Sequence, residues 1–453
     1  MIMVFRELFN DRTFNRKLIF LALPITLQNL MLALVAAADA LMLGRLDQDS
    51  MAAVSLATQI QFIQNMFLCA IASCVAILGA QYWGKRDYAV IDRIFGISIR
   101  ESFIVSALFF TGCFFFPEKL MMLFANDPVL IDLGSQYLKI AGWSYLITGF
   151  SQSYLAVMRV TDQASASAWV SSGAVIINII LNAVFIFGFM KIPAMGVCGA
   201  AVATLLARII ELLCCIFLSF RKNFFALKIK TVFSCDWILI RDFWRYGLPV
   251  LGSFLLWGVG FSAYTAIIGH LGRDAAAANS VAAVVRDLLC CLCNGLAGAA
   301  SIIIGNELGA GNLELGKKYG NRITVFSFII GIGTSLVILA LIPLVNGFMK
   351  LTPLAQEYLT GMFIILSVYM IGRCICTVVI NGVFYSGGDA IFDVISLLVC
   401  MWGIALPCAF TGAFYFKLPI LVVYACTCLD EVGKIPWVMC HYRKYRWVKN
   451  ITR

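Results

Sequence analysis

The chain contains LALPITLQNLMLALVAAADALMLGRL at residues 21–46 and repeats its pattern 225 positions later as YGLPVLGSFLLWGVGFSAYTAIIGHL at residues 246–271. Pro24 falls on Pro249, and Gly44 falls on Gly269. The ungapped match extends over residues 21–85 and includes turn residues, which chance agreement between apolar residues does not explain. The pattern therefore predicts two copies of one unit, with function located between them.

The two copies differ at one position inside the repeated stretch. Asp39 of the first copy falls on Tyr264 of the second. A carboxylate within an apolar run is costly in a membrane and usually has a function, such as holding a proton or a cation. The alternative is that Asp39 lies near the interface and is hydrated among the lipid headgroups.

Composition assigns the chain to the membrane proteins. Its 453 residues are 62% hydrophobic and 13% charged, with a mean hydropathy of +0.92. A soluble protein carries about twice that charged fraction. Apolar runs of about 20 residues, each able to cross about 30 Å of hydrocarbon, recur throughout. The sequence predicts an all-α polytopic membrane protein without a cleavable signal peptide.

Hydropathy predicts twelve membrane spans, six on each side of an amphipathic segment at 221–241. We expect an N-terminal lobe at 1–220, a surface linker at 221–241, and a C-terminal lobe with a basic tail at 242–453. A forward repeat predicts a parallel pseudo-two-fold axis along the membrane normal, with a central cleft between the lobes. The spans are expected at residues 18–43, 52–81, 94–116, 131–158, 164–187, 197–220, 242–270, 276–306, 319–347, 357–385, 391–414 and 418–441.

The distribution of Lys and Arg predicts the orientation. Basic residues cluster at both termini, in 221–245, and in the loops around Lys85 and Lys317. The opposite loops hold one basic residue each. We therefore expect both termini to face the cytoplasm. The net charge of +10 lies in loops and termini, so it does not indicate nucleic-acid binding.

Asn178 and Asn182 of the predicted fifth span are spaced i, i+4, so both amides share one helix face. Two amides facing lipid would lack hydrogen-bond partners, so this face is expected to point inward. The two amides are candidates for a cation or proton site together with Asp39. Either amide alone is equally well explained as an interhelical hydrogen bond.

Charged residues also occur within spans six, eight, ten and twelve. They form either ion pairs that hold helices together or a proton relay or substrate-charge site in the C-terminal lobe. Arg373 has no local partner, and we expect its acid on the twelfth span. The members of this candidate network are Arg208, Glu211, Arg286, Asp287, Arg373, Asp430, Glu431 and Lys434.

Polar residues of span two and aromatic residues of span seven are candidates for the cleft lining, because an adaptable aromatic wall suits flat cationic ligands. Packing within the lobes is the alternative explanation for the aromatic and Met side chains. These candidates are Gln59, Gln61, Gln64, Met66, Trp257 and Tyr264.

The 17 cysteines are spread along apolar segments, so we expect buried apolar residues rather than disulfides or metal ligands. No cofactor is expected besides a coupling ion. The chain has two histidines, His270 and His441, one at each surface, so a membrane-embedded enzyme is not expected.

The chain resembles the multidrug and toxic compound extrusion (MATE) family over about 18–440. The resemblance rests on AADALMLGRL, AQYWGK, INIILNAVFIFG, GVCGAAVATLLARIIE, GNELGAG and VFYSGGD in this order. It implies two six-helix lobes and export of amphipathic, often cationic, compounds in exchange for H⁺ or Na⁺.

Residue by residue, the resemblance also sets expectations for the coupling site. Asp39 matches the acid of the family's first span, and Asn178 matches its asparagine on the fifth. Asn182 stands where one branch has a second acid. Trp257 and Cys374 stand where another branch has acids used in coupling, so the Na⁺ site of that branch is expected to be missing.

These features predict a monomeric antiporter of a bacterial inner membrane that acts on small amphipathic molecules. H⁺ is the favoured coupling ion, with Na⁺ as the alternative. The alternative within transport is a flippase of lipid-linked precursors, which Arg208, Arg286 and Arg373 keep open as binders of a pyrophosphate. A receptor or scaffold would leave the repeat and the buried acids unexplained.

Overall fold

A computed structural model describes residues 11–453, except 46, 190–192, 222–227, 234–235 and 349–350. Part of the predicted 221–241 linker and several of the counted loop lysines lie outside the described residues. The linker does include a short helix at Ile229–Phe233. It packs closely on the third span, because a Cβ at Gly96 would come within 2.5 Å of the Thr231 carbonyl oxygen.

Each of the twelve predicted spans coincides with a long helix or a nearly continuous helical segment, which confirms the predicted all-α polytopic fold. In chain order, α1 to α6 are Arg12–Gly44, Gln48–Lys85, Tyr88–Phe115, Pro128–Val160, Ala164–Phe187 and Gly196–Ser219. Next, α7 to α11 are Trp237–Gly269, Arg273–Gly309, Leu313–Phe348, Pro353–Phe384 and Ile391–Tyr415. The last segment, α12, consists of Ile420–Thr427, Leu429–Val432 and Ile435–Tyr442.

Ten helices in the described part of the chain are long and apolar enough to cross a membrane. The two remaining segments differ for separate reasons. Helix α4 carries many Ser, Thr and Tyr side chains that are buried inside the protein. Segment α12 is interrupted twice and contains Asp430 and Glu431. Hydropathy alone therefore identifies a membrane span least reliably where the helix carries polar side chains that are buried inside the protein.

Helix starts follow local sequence. Asp87 precedes α3 and its carboxylate accepts from the Val90 amide at 3.3 Å, while Thr352 accepts from the Ala355 amide at 3.2 Å before α10. Such caps satisfy amides that have no partner within the helix. Asp162, between α4 and α5, has a φ of 61° and accepts from the Trp83 indole at 2.9 Å. A backbone in the left-handed region is unusual for a residue other than glycine, although Asp and Asn adopt it more readily than most.

The chain forms two compact units. The N unit comprises residues 27–83 and 87–247, and the C unit comprises residues up to Thr26, 84–86 and 248–453. The boundary between the units falls at similar places in the two repeats. In α1 it follows Thr26, two residues after Pro24, and in α7 it follows Gly247, two residues before Pro249. The lobe boundaries expected from the sequence, at 220 and 242, stay a prediction.

Small residues and hydroxyl groups pack α3 against α4 in the N unit. Ser153 donates to Ser102 at 3.0 Å and accepts from Ser98 at 2.9 Å. A Cβ at Gly149 would lie 2.3 Å from the Ser106 hydroxyl oxygen, so only glycine allows this approach. Close backbones and interhelical hydrogen bonds replace the hydrophobic effect as the source of helix association in lipid.

The interior of the C unit is built on α8 and α10. A Cβ at Gly382 would meet the Ala300 side chain at 2.8 Å, so these helices are in close contact. Cys293 on α8 and Cys374 on α10 form a disulfide, with Cα atoms 5.1 Å apart. The expectation that no cysteine is paired is therefore wrong for these two, because the fold brings them together across 81 residues of sequence.

Both ends of the described chain pack on the C unit. Trp447 of the basic tail is fully buried, and its side chain fills the space that a Cβ at Gly320 would occupy. Asp11 forms an ion pair with Arg322 at 2.6 Å. Hydrogen bonds from the Thr13 hydroxyl, Arg322 and the Phe14 amide lower the pKa of Asp11 below its usual value.

Candidate functional site

The N unit encloses a cavity of about 610 Å³. Asp39, near the C-terminal end of α1, supplies an acidic group to its wall. One part of the wall is apolar and the other carries hydroxyl, amide and guanidinium groups. The lining residues are Leu32, Val35, Asp39, Leu43, Met51, Ala52, Val54, Ser55, Thr58, Gln61, Asn65, Tyr137, Ala174, Val175, Asn178, Thr204, Ala207 and Arg208.

A hydrogen-bonded chain links Asp39 to helices α5 and α6. The Asn182 Nδ2 donates to Asp39 Oδ1 at 2.5 Å and to Asn178 Oδ1 at 3.2 Å. Asn178 Nδ2 donates to the Thr204 hydroxyl at 3.3 Å. The structure therefore brings together the three residues that the sequence proposed for the coupling site and adds Thr204 to them.

Thr204 was missed by the sequence analysis, although a signal was present. It lies four residues before Arg208 on α6, so both side chains share one helix face. Once Arg208 is singled out as an intramembrane charge, its polar neighbour at helical spacing becomes a candidate as well.

Arg208 connects the cavity to a buried acid. Its Nη1 lies 2.9 Å from Oε2 of Glu211, whose side chain is fully buried. The Ser151 hydroxyl donates to the same carboxylate oxygen at 2.8 Å. Burying a charge this deeply requires a partner and further hydrogen bonds, which Arg208 and Ser151 provide. Arg208 and Glu211, which the sequence analysis grouped with a network of the C-terminal lobe, instead pair with each other within the N unit.

The polar residues of α2 have different environments. Gln61 and Asn65 line the cavity. Gln64 is buried and donates to the Ser106 hydroxyl at 3.2 Å and the Tyr145 carbonyl at 2.9 Å. Gln59 is exposed and Met66 is buried. The assignment of these side chains to a substrate cleft stays a prediction.

The C unit contains a compact charge cluster around Glu431. Oε1 of this fully buried carboxylate lies 2.5 Å from Nη1 of Arg373, and Oε2 lies 2.9 Å from Nζ of Lys434. The acid expected for Arg373 on the twelfth span is therefore found. Lys434 is itself only 4% exposed and Arg373 is 17% exposed, so one carboxylate holds a buried and a partly exposed cation.

Asp430 faces a different environment from its neighbour Glu431. It lines a pocket of about 30 Å³ that also contains Tyr264, Asn279 and Arg286. Asp430 Oδ1 and the Tyr264 hydroxyl are buried, and neither has a hydrogen-bond partner within the described part of the chain. The pocket has about the volume of a single water molecule. It offers no room for an organic substrate.

The remaining candidates of the C unit contact one another through aromatic rings. Trp257 stacks on Phe261 with centroids 5.4 Å apart, and the Arg373 guanidinium lies 5.7 Å from the Trp257 ring. The Arg286 guanidinium lies 4.3 Å from the Phe261 ring and pairs with the exposed Asp287 at 2.8 Å. These cation–π contacts stabilise the partly exposed guanidinium groups.

No group of three or more His, Cys, Asp or Glu side chains able to hold a metal ion occurs in the described ranges.

A model of the MatE family matches two stretches of the chain, residues 24–184 and 249–411. They start at Pro24 and Pro249, the same pair that defines the repeat. Together they cover more than half of the chain. The chain belongs to the MatE family. The family resemblance suggested by the sequence motifs is thus confirmed.

Relatives and solved structures agree with this assignment over nearly the full length. The uncharacterized transporter YisQ of Bacillus subtilis is 24% identical, covering 97% of this chain and 96% of its own. A probable multidrug resistance protein NorM of Thermotoga maritima is 23% identical, covering 96% and 93%. An outward-facing multidrug resistance MATE transporter of the MOP superfamily has a TM-score of 0.84, with 18% identity and coverage of 94% and 96%.

Another solved structure, a MOP superfamily transporter from Pyrococcus furiosus, has a TM-score of 0.85 at 18% identity and covers 94% of this chain and 95% of its own. At such low identity the two structural matches show a shared fold. The family match, together with the apolar helices of the described chain, makes this protein a multi-pass membrane transporter for small molecules.

Proposed function

We propose that this MATE transporter is an antiporter that exports amphipathic, often cationic, organic compounds in exchange for protons. Several relatives bear the name multidrug resistance protein. The observation that carries the proposal is Asp39, an acid on the wall of a 610 Å³ cavity, hydrogen-bonded to Asn182. A cavity of this size, partly apolar and partly polar, suits a drug-sized molecule.

Exchange follows if a proton and the substrate favour different conformations. When Asp39 is ionised, its carboxylate attracts a cationic substrate to the cavity wall. When Asp39 is protonated, that attraction is lost and the substrate dissociates. Alternating access to a central cleft becomes directional if protonation shifts the equilibrium between the two conformations. A shift of only a few kcal/mol is enough.

A proton fits this site better than Na⁺ because the site has a single carboxylate. The position where one branch of the family has a second acid is Asn182, which donates an N–H to Asp39. The two positions where another branch has coupling acids are Trp257 and the disulfide-bonded Cys374. With fewer anionic oxygens, the chain has little to replace the hydration shell of a metal cation.

The test is transport of a fluorescent cationic dye in inverted membrane vesicles. Dye movement should require a proton gradient and should not respond to a sodium gradient alone. Asp39→Asn should abolish proton-driven transport while leaving the protein folded and inserted. Asp49→Asn, which neutralises an exposed acid at the start of α2, is the matched control. Full transport by a well-expressed Asp39→Asn variant would contradict the proposal.

We further propose that the protein is a monomer of the bacterial inner membrane with both termini in the cytoplasm. The Lys and Arg distribution supports the orientation of the termini. A single cysteine at Asp49 in a cysteine-free background should react with an impermeant thiol reagent added to whole cells, and one at Glu314 should not. The opposite labelling pattern would invert the topology. The names of the relatives give no support to the flippase alternative.

A further inference from the structure

The cavity of the N unit carries a positive charge beside its acid. Arg208 and Asp39 both line it, yet each has another partner, Glu211 for Arg208 and Asn182 for Asp39. The two opposite charges therefore do not neutralise each other by direct pairing. The cavity presents a carboxylate at one place on its wall and a guanidinium at another.

Arg208 has unused hydrogen-bonding capacity. Its guanidinium makes one hydrogen bond within the described part of the protein, from Nη1 to Glu211. A guanidinium carries several further N–H donors in a planar fork that matches a carboxylate. The side chain is 17% exposed, and its residue forms part of the cavity wall. The remaining donors are thus available to a molecule inside the cavity.

Glu211 fixes the guanidinium and sets its strength as an anion binder. The acid is fully buried, and its Oε2 accepts from both Arg208 and Ser151. This arrangement orients Arg208 before any ligand arrives, which lowers the entropic cost of binding. It also means that Glu211 competes with a ligand for part of the positive charge.

We propose that Arg208 is a specificity-determining residue that binds the carboxylate of amphipathic substrates carrying both an anionic and a cationic group. Asp39 then faces the cationic group, and the apolar wall formed by Leu32, Val35 and Ala174 faces the hydrophobic body. A purely cationic compound uses Asp39 alone. This inference rests on the proposed export function and adds the chemical class of its preferred substrate.

The test compares tetramethylrhodamine, which has a free carboxylate, with its methyl ester, which has the same ring system and no anion. Binding of both dyes is measured by fluorescence anisotropy on the purified full-length protein, and transport of both is measured in vesicles with clamped membrane potential. Wild-type protein should bind the free carboxylate ~10-fold more tightly than the ester, the ratio that one or two charge-assisted hydrogen bonds provide.

Three variants separate ligand binding from a structural role. Arg208→Lys keeps the charge paired with Glu211 but loses the planar fork, so the preference for the carboxylate should fall to about 2-fold or less while ester binding is unchanged. Glu211→Gln retains an acceptor for Ser151 and releases Arg208, so the preference should rise. Arg100→Lys, in the Arg100–Glu101 pair of α3 that does not line the cavity, should change neither dye.

A structural role for Arg208 would make Arg208→Lys and Glu211→Gln change both dyes in the same direction, which would overturn the inference. Equal binding of the two dyes by the wild-type protein would overturn it as well. The proposed export function is judged separately, because it requires only that the wild-type protein transports the ester in response to a proton gradient. Transport of the ester without any carboxylate preference therefore refutes this inference alone.

Discussion

The two units place a buried glutamate on the last span of each repeat, Glu211 in the N unit and Glu431 in the C unit, but they surround it differently. Glu211 has one cation, Arg208, which also borders a 610 Å³ cavity. Glu431 has two cations, and the nearby pocket measures only about 30 Å³. At the position that holds Asp39 in the N unit, the C unit has Tyr264.

This difference shows how a duplicated fold can serve two purposes. The N unit keeps its charges at the edge of an open space, where a ligand or a proton can reach them. The C unit has aromatic side chains around its small pocket and pairs Glu431 with Arg373 and Lys434. The sequence-based prediction of a second proton-sensitive network in the C unit stays a prediction, while the contacts of Glu431 fit a structural ion cluster.

The largest effect is expected when the acid is removed from the C unit cluster. Glu431→Gln leaves the buried Lys434 and the partly exposed Arg373 without a countercharge, which should cost about 3–5 kcal/mol of stability. Glu211→Gln should cost less, because Arg208 borders the cavity and can be hydrated there. The measurement is the thermal unfolding of each purified variant in detergent, with Glu314→Gln at the exposed start of α9 as control.

Equal losses of stability in Glu431→Gln and Glu211→Gln would contradict the proposed difference between the charge cluster of the C unit and the cavity of the N unit. The milder variant Arg373→Met leaves Glu431 paired with Lys434 and serves to test proton sensitivity. If the cluster takes part in coupling, the pH profile of dye efflux should move upward in this variant. An unchanged profile with normal expression would assign these charges to structure.

A smaller effect on stability is expected when the ion pair between Asp11 and Arg322 of the C unit is removed. Because the pKa of Asp11 is lowered in the folded protein, its contribution to stability is complete above the unfolded pKa and is lost as the pH falls towards the folded pKa. Asp11→Asn should therefore destabilise the protein by about 1 kcal/mol at neutral pH. The difference from wild type should shrink below about pH 4. A difference that stays constant down to pH 3 in thermal unfolding would contradict this origin.

The smallest effect is expected at Tyr264, the counterpart of Asp39. Its hydroxyl makes no hydrogen bond within the described ranges, so Tyr264→Phe should leave stability unchanged or slightly raised and dye efflux intact. Asp39→Asn at the equivalent position is expected to abolish efflux. Loss of transport in Tyr264→Phe would show that the small pocket of the C unit takes part in the mechanism after all.

The sequence by itself determined the spans, the duplication and the asymmetry between Asp39 and Tyr264. Apolar run length is a local property fixed by the thickness of the bilayer, and an ungapped repeat can be found by aligning the chain with itself. The requirement of a buried charge for a partner also predicted one long-range contact, that of Arg373 with an acid on the last span.

Only the tertiary structure decided which of the two adjacent acids, Asp430 or Glu431, pairs with Arg373. It also decided which polar side chains of α2 line the cavity. Asp430 and Glu431 are adjacent in sequence, and Gln61 and Gln64 are three residues apart on one helix, yet each pair is divided between different surroundings. The rotation of a helix about its axis and its distance from its neighbours set these outcomes. Both depend on packing with residues far away in the chain, as does the pairing of Cys293 with Cys374.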